Sequence, residues 1–232
     1  MSDKHQITKS LPFRQANNKQ IPYNFLKRLT DIFITLCVLA IFLPIIVLIL
    51  TGIVVCFALK PEDRGPILYK EVRYSKGKRF NILKFSVLRK EILAHASNLE
   101  HCARFYEKDT ENLTFIGQFL KKWYLDEIPQ IINILKGNMS IVGPRPWSED
   151  HYNNQLKRGI CYRKYVMAGW TGLGQLCKRS MHKDKITMLS EEADISYVNR
   201  CRNSGSLSLC FFDIKIIFKT FYTMLEGKGL ND

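Results

Sequence analysis

From Ile32 to Leu59 the chain carries no charged side chain, and Ile, Leu, Val and Phe dominate the run. A stretch of that length predicts a membrane helix, because a bilayer core takes about 20 apolar residues to cross. The run starts about thirty residues from the N-terminus and exceeds the ~7–15-residue apolar region of a cleaved signal peptide, so it is expected to stay on the mature protein. Pro44 sits near its middle, where the missing N–H favours a kink. Each half is then about 20 Å long, short of a hydrocarbon core of about 30 Å. Basic residues flank both ends, with Lys19, Lys27 and Arg28 before and Lys60, Arg64 and Lys70 after. A crossing has no preferred direction when both sides are positive, which favours a re-entrant helix with both ends in the cytoplasm.

Around this segment the polar pattern sets the remaining organisation. Residues 1–24 are polar and without apolar period, and read as a mobile tail; residues 25–60 form the membrane helix; residues 61–232 form a cytosolic domain lying on the membrane. Ile67 to Val72, the turn Ser75-Lys76-Gly77 and the alternating Phe80 to Phe85 predict a β-hairpin. A helix is expected from about Lys90 to Tyr106, then a polar loop at Asp109 to Asn112. From Leu113 to Tyr124, Ile116, Phe119, Leu120 and Trp123 recur at helical spacing beside Lys121 and Lys122. Core packing explains that stripe, and so does a helix lying in the lipid headgroup layer. Leu207, Phe211, Ile214, Phe218, Phe221 and Leu225 form a second such stripe, with Lys215 and Lys219 one turn apart. The fold class is therefore mixed α/β and mainly helical: a re-entrant membrane helix with a proline kink, a small β-hairpin, and amphipathic interfacial helices around the active site.

Charge narrows the partners. The 232 residues carry a formal net charge of +14, so the basic excess faces an anion: nucleic acid, an anionic bilayer or a phosphorylated substrate. No recognition helix, RNA-binding motif or zinc pattern supports nucleic acid. The seven cysteines are odd in number and lack any C-x-x-C pair, which argues for a reducing compartment. None of the five histidines has metal-ligand spacing.

The chemistry concentrates in two blocks. Asp126 and Glu127 are adjacent acids two residues before Pro129, and proline fits only the first turn of a helix. If the helix through Ile131, Ile132 and Leu135 begins near Asp126, the pair sits at its N-terminus, where the dipole favours anions. The plainer alternative makes Asp126 an N-cap and Glu127 a first-turn acid. Pro144-Arg145-Pro146 holds an arginine between two residues of fixed φ, suited to bidentate phosphate recognition. Gly169 to Gln175 is a glycine-rich loop able to approach a ligand closely, without the Lys-Ser/Thr ending of a P-loop. Carboxylates beside a phosphate need a cation, and Mg²⁺ is the usual one.

Taken in order, Lys27-Arg28-x-x-Asp31, the apolar run broken by proline, Gly65-Pro66, the Arg73 to Phe80 hairpin with Lys84-Phe85, Leu125-Asp126-Glu127, the run from Leu135-Lys136-Gly137 through Pro144-Arg145-Pro146, and Thr171-Gly172-Leu173-x-Gln175 resemble the bacterial sugar transferase family, the monotopic polyprenyl-phosphate phosphoglycosyl transferases. The resemblance covers about Phe25 to the C-terminus. It implies transfer of a sugar-1-phosphate from a UDP-sugar to undecaprenyl phosphate, with UMP released, on the cytoplasmic face of the bacterial inner membrane. It also implies Asp126 as nucleophile forming an aspartyl-phosphosugar, Glu127 as Mg²⁺ ligand, and Arg145 with Pro144 and Pro146 at phosphate. Lys27 and Arg28 would meet lipid headgroups or the polyprenyl phosphate, and Arg73, Lys84 and Gln175 complete the implied substrate-binding set. Implied partners are the two substrates, membrane lipids and downstream glycosyltransferases, in exopolysaccharide, capsule, O-antigen or glycoprotein glycan synthesis. The sequence departs from the family at Leu43-Pro44, where Ser-Pro is common, at Ser86 and Met167-Ala168, and at Lys121, which stands for an arginine. A membrane scaffold that keeps the fold without the chemistry is the alternative.

Overall fold

The computed structural model describes residues 20–98, 103–179 and 186–225. Most of the expected N-terminal tail, residues 1–19, lies outside the described residues, as do His5, His101 and His182. The chain divides into two compact units. The first takes in the residues up to Thr30, Arg73–Phe80 and those from Asn138 onward; the second comprises Asp31–Val72 and Asn81–Gly137.

The apolar run forms one long helix, α1 (Phe25–Leu59), with Pro44 inside it. Only 11% of its most apolar 18-residue window is buried. Phe33, Ile41 and Leu48 are each two-thirds or more exposed. Leaving a large apolar side chain in water forgoes roughly 1.5–3 kcal/mol, so a helix with this many is compatible with membrane association. Ile49 and Ile53 are the exceptions and are buried in the second unit.

The hairpin forms as expected from β1 (Leu68–Ser75) and β2 (Lys78–Phe85). Lys76 at φ 50° and Gly77 at φ 74° turn the chain in two residues, which forces antiparallel pairing and matches the twist of the strands. Outer backbone groups of β2 are met by one side chain: Asn133 accepts from the Leu83 N–H at 2.9 Å and donates to the Asn81 carbonyl at 2.7 Å.

Of the helix expected from Lys90 to Tyr106, the described residues form α2 (Lys90–Asn98) and a 3₁₀ turn at Ala103–Lys108. The polar loop after it is a second 3₁₀ turn, Thr110–Asn112, whose Glu111 N–H donates to the Asp109 side chain at 3.0 Å. Next, α3 (Phe115–Lys122) is capped by the Thr114 hydroxyl, which accepts from Gly117 N–H at 3.0 Å. Leu120 of α3 is fully buried, whereas Phe115, Phe119 and Trp123, one turn apart, are all at least half exposed. Part of the stripe thus serves the core and a larger part faces outward. A 3₁₀ turn, Leu125–Glu127, leads into the short α4 (Gln130–Leu135), which ends on Gly137 at φ 79°.

In the first unit the sequence pattern missed a pair of three-residue parallel strands, β3 (Ser140–Val142) and β4 (Gly169–Thr171), in the register Ser140 to Gly169 and Val142 to Thr171. Their backbones lie so close that a Cβ on Gly169 would stand 2.0 Å from the Gly143 nitrogen, and one on Gly172 2.2 Å from the Gly143 oxygen. The glycines of this loop therefore serve chain packing, which corrects the reading of them as room for a ligand. Among the described residues, four α-helices follow β3 along the chain: α5 (Glu149–Lys157), α6 (Leu173–Arg179), α7 (Ile186–Asn203) and α8 (Ser206–Leu225). On α8, Leu209, Asp213 and Ile216 are buried, while Leu207, Phe211, Phe218, Phe221 and Tyr222 are exposed.

Candidate active site

Asp126 and Glu127 lie in the second unit on the 3₁₀ turn before α4, not on the first turn of an α-helix. Tyr124 enters the turn in the left-handed region at φ 55°, and Pro129 caps α4. A six-residue helix has little dipole to offer, so the electrostatics of the dyad come from side chains. Asp126 is 1% exposed and Glu127 9%. Lys84 of β2, itself buried, places its ammonium 3.5 Å from Glu127 Oε1 and 4.0 Å from Asp126 Oδ2. Lys121 of α3 reaches Asp126 Oδ2 at 3.8 Å and is also paired with Glu107.

Burial is the largest influence on Asp126 and pushes its carboxyl up to about 6, with Lys84 and Lys121 pulling the other way and Glu127 and Glu107 adding to the rise. Burial pulls Lys121 down, yet Glu107 and Asp126 outweigh it and hold the ammonium above its ordinary value. Asp126 Oδ1 is buried and accepts no hydrogen bond among the described residues. Such a group is costly unless something meets it.

The Mg²⁺ implied by the resemblance fits this donor set. No cluster of three or more His, Cys, Asp or Glu gathers for a metal among the described residues. Glu127, beside Asp126 and the less buried of the two, is the carboxylate that could hold a Mg²⁺ bound chiefly by substrate phosphates and water.

The other expected site residues belong to the first unit. Pro144 and Pro146 are buried and flank a half-buried Arg145. The loop is braced by Arg163, which sequence reasoning missed: its Nε donates to the Arg145 carbonyl at 3.5 Å, and its guanidinium stacks 3.9 Å from the Trp147 ring. Arg163 in turn meets Asp194 at 2.7 Å. Arg73 is half-buried on β1, and Gln175 on α6 has a buried amide nitrogen that finds no acceptor among the described residues.

Lys27 corrects an expectation. Its ammonium is buried, 2.5 Å from Asp213 of α8 and 3.3 Å from the Val142 carbonyl, while Tyr197 donates to that carboxylate at 3.0 Å. An ammonium so engaged does not reach lipid headgroups; Arg28 beside it is half-buried. Removing one partner of a buried pair typically costs about 3–5 kcal/mol, since the other charge is left unpaired. Asp213→Ala should lower the denaturation midpoint of detergent-solubilised protein by several degrees, and Lys27→Met combined with Asp213→Leu should recover much of it.

A family model described as bacterial sugar transferase matches residues 22–227. A UDP-N-acetylgalactosamine-undecaprenyl-phosphate N-acetylgalactosaminephosphotransferase of Aeromonas hydrophila is 31% identical over 89% of this chain and 45% of its own length. A UDP-glucose:undecaprenyl-phosphate glucose-1-phosphate transferase of Escherichia coli K12 is 30% identical over 88% of this chain and 41% of its own. An exopolysaccharide production protein of Rhizobium leguminosarum bv. phaseoli is 30% identical over 88% of this chain and 98% of its own length. The chain spans less than half of the first two relatives and nearly all of the third. With a family match running from just before α1 into the segment after α8, the chain belongs to the bacterial sugar transferase family.

Proposed function

We propose that the protein transfers a sugar-1-phosphate from a UDP-sugar to undecaprenyl phosphate and releases UMP. The observation that carries this reading is Asp126: a buried carboxylate whose Oδ2 faces two lysines within 4.0 Å while Oδ1 has no partner among the described residues. Oδ1 attacks the phosphorus that bears the sugar, and the bond from that phosphorus to the UMP oxygen breaks, the electron pair leaving with UMP. An acyl phosphate joins Asp126 to the phosphosugar. A phosphate oxygen of undecaprenyl phosphate then attacks the same phosphorus, the bond to Oδ1 breaks, and the carboxylate is restored. Two displacements through one covalent species give ping-pong kinetics.

Lys84 and Lys121 offset the charge that gathers as phosphate approaches two carboxylates. Glu127 would hold Mg²⁺, which when bound neutralises phosphate charge and favours departure of UMP. Because Oδ1 is covered, the donor reaches it only after the side chains above it shift, so binding is coupled to local opening. Arg145, Arg73 and Gln175 are the remaining groups assigned to substrate phosphate and nucleotide.

The exposed apolar faces of α1, α3 and α8 support attachment to a membrane; the cytoplasmic face of the bacterial inner membrane, α1 re-entrant at Pro44 and residues 61–232 as the catalytic domain complete the proposal. Membrane lipids and downstream glycosyltransferases of surface glycan assembly are the partners that follow. The deciding measurement is a UMP-release screen over UDP-sugars with undecaprenyl phosphate and Mg²⁺ in detergent or nanodiscs. One UDP-sugar should give UMP and a lipid-linked phosphosugar in equal amounts. No UMP from any of them, under conditions in which a relative is active, would sink the reading and favour the scaffold.

A further inference from the structure

Gln130 is one turn beyond the dyad, 2% exposed, and its amide nitrogen meets no acceptor among the described residues. A buried donor left unsatisfied is disfavoured enough that native structures rarely keep one without a purpose. Its direction follows from the backbone. Ile128 N–H bonds to the Leu125 carbonyl, Ile131 to Ile128 and Ile132 to Pro129, all with three-residue spacing. In such turns the side chains at i and i+3 eclipse, so Gln130 stands over Glu127. Asn133 lies three residues further along the same side of α4.

Both neighbours in this row touch β2. Glu127 Oε1 is 3.5 Å from the Lys84 ammonium, and Asn133 bonds to the backbone at Leu83 and Asn81. Gln130, between them in the row, is thereby placed on the side of α4 that meets β2, next to the seam that holds Lys84 and the carboxylates. The division of labour differs sharply along the row. Asn133 has both amide atoms engaged by β2 and fixes the strand on which Lys84 stands, while the Gln130 nitrogen has no such structural partner.

We propose that Gln130 is a further catalytic residue, its Nε2–H donating to a non-bridging oxygen of the phosphoryl group that passes through Asp126. The inference rests on the phosphoryl-transfer reading above. An amide suits the position because it donates a hydrogen bond without adding charge to a cluster already holding three acids, Asp126, Glu127 and Glu107, and two lysines. The same contact would serve both displacements, since the phosphorus stays at the same carboxylate in each.

The test uses full-length protein in nanodiscs, wild type beside Gln130→Met, which keeps the length and removes the donor, and Gln130→Glu, which adds a like charge. Formation of the phosphosugar adduct on Asp126 is followed by rapid quench and intact mass, with KM for the UDP-sugar and the melting temperature of unliganded protein measured in parallel. Loss of one preorganised donor to a developing oxyanion lowers rates about 100-fold. Gln130→Met should show a loss of that order in adduct formation with KM changed less than about threefold, and Gln130→Glu a larger loss. Unliganded Gln130→Met should melt at or above the wild-type temperature, because a buried unpaired donor has gone. A rate within threefold of wild type overturns the assignment while leaving the function intact. A melting temperature several degrees lower, with activity lost in step, makes Gln130 a packing residue and overturns it as well. If wild type forms no adduct with any UDP-sugar while a relative does, the assignment and the function fall together.

Discussion

Asp126→Asn should abolish transfer, with a fall of about 10⁴-fold or more in kcat and no phosphosugar adduct in the intact mass. The amide keeps the shape and almost all of the packing of a side chain that is 1% exposed, so the loss would report nucleophilicity and not unfolding. Deleting the nucleophile of a covalent enzyme removes the two-step route altogether, which is why such losses run to many orders of magnitude. Glycan synthesis in cells carrying this variant, at wild-type levels, would mean that the dyad is not the site of chemistry.

The same substitution should have an opposite effect on stability, and its sign follows from the proton balance. Burial raises the Asp126 carboxyl to about 6 in the folded protein, against about 3.9 in an unfolded chain. Between those values the folded state holds a proton that the unfolded state has released, so stability falls as pH rises from about 4 to about 6 and is level above. By neutral pH the deficit is on the order of 3 kcal/mol. Asparagine carries no such slope. In EDTA, the melting temperature of Asp126→Asn relative to wild type should therefore be higher at pH 7.5 than at pH 4.5. A difference that does not change with pH would show that burial does not perturb Asp126.

What the chain reveals by pattern alone depends on how local the causes are. The long apolar helix needs only composition, and the hairpin only two strands and a Lys-Gly turn whose φ values come out at 50° and 74°. The exposed stripes of α3 and α8 are periodic and were visible, although period cannot distinguish a core face from an outward one; only burial does. The dyad was found by residue type, but its setting was not. The spacing to Pro129 predicts acids in the first turn of a helix, whereas the left-handed Tyr124 and the 3₁₀ turn before Pro129 put both acids outside α4. The surroundings of Lys27 are hidden from the sequence for a different reason. A lysine at the edge of an apolar run resembles a headgroup ligand, and its acid partner, Asp213, lies 186 residues along the chain. The braces Arg163 with Asp194 and Lys121 with Glu107 carry no motif that would have announced them. The β3 and β4 pair was invisible because three buried residues give no alternation to read.

Lys84→Met should reduce kcat/KM by about 100- to 1,000-fold at neutral pH, with a loss that shrinks as pH rises. Lys84 is the group that most strongly lowers the Asp126 carboxyl, ahead of Lys121. At 4.0 Å and an effective dielectric of about 20, one such charge is worth up to roughly 4 kcal/mol to the ionised form. Methionine keeps the aliphatic stem packed and takes only the ammonium, so burial and the Glu127 charge then act on Asp126 with less opposition. The carboxylate needed for attack is therefore scarcer at low pH and recovers toward alkaline pH, which displaces the acid limb of the rate profile upward. Lys84→Arg retains the charge and should keep the wild-type limb, though the planar guanidinium fits the ammonium's place imperfectly and some rate is lost. Initial rates of UMP release from pH 6 to 9 at saturating Mg²⁺ decide the matter. A Lys84→Met profile parallel to wild type at every pH would assign Lys84 to binding alone, with the ionisation of the nucleophile governed by Lys121.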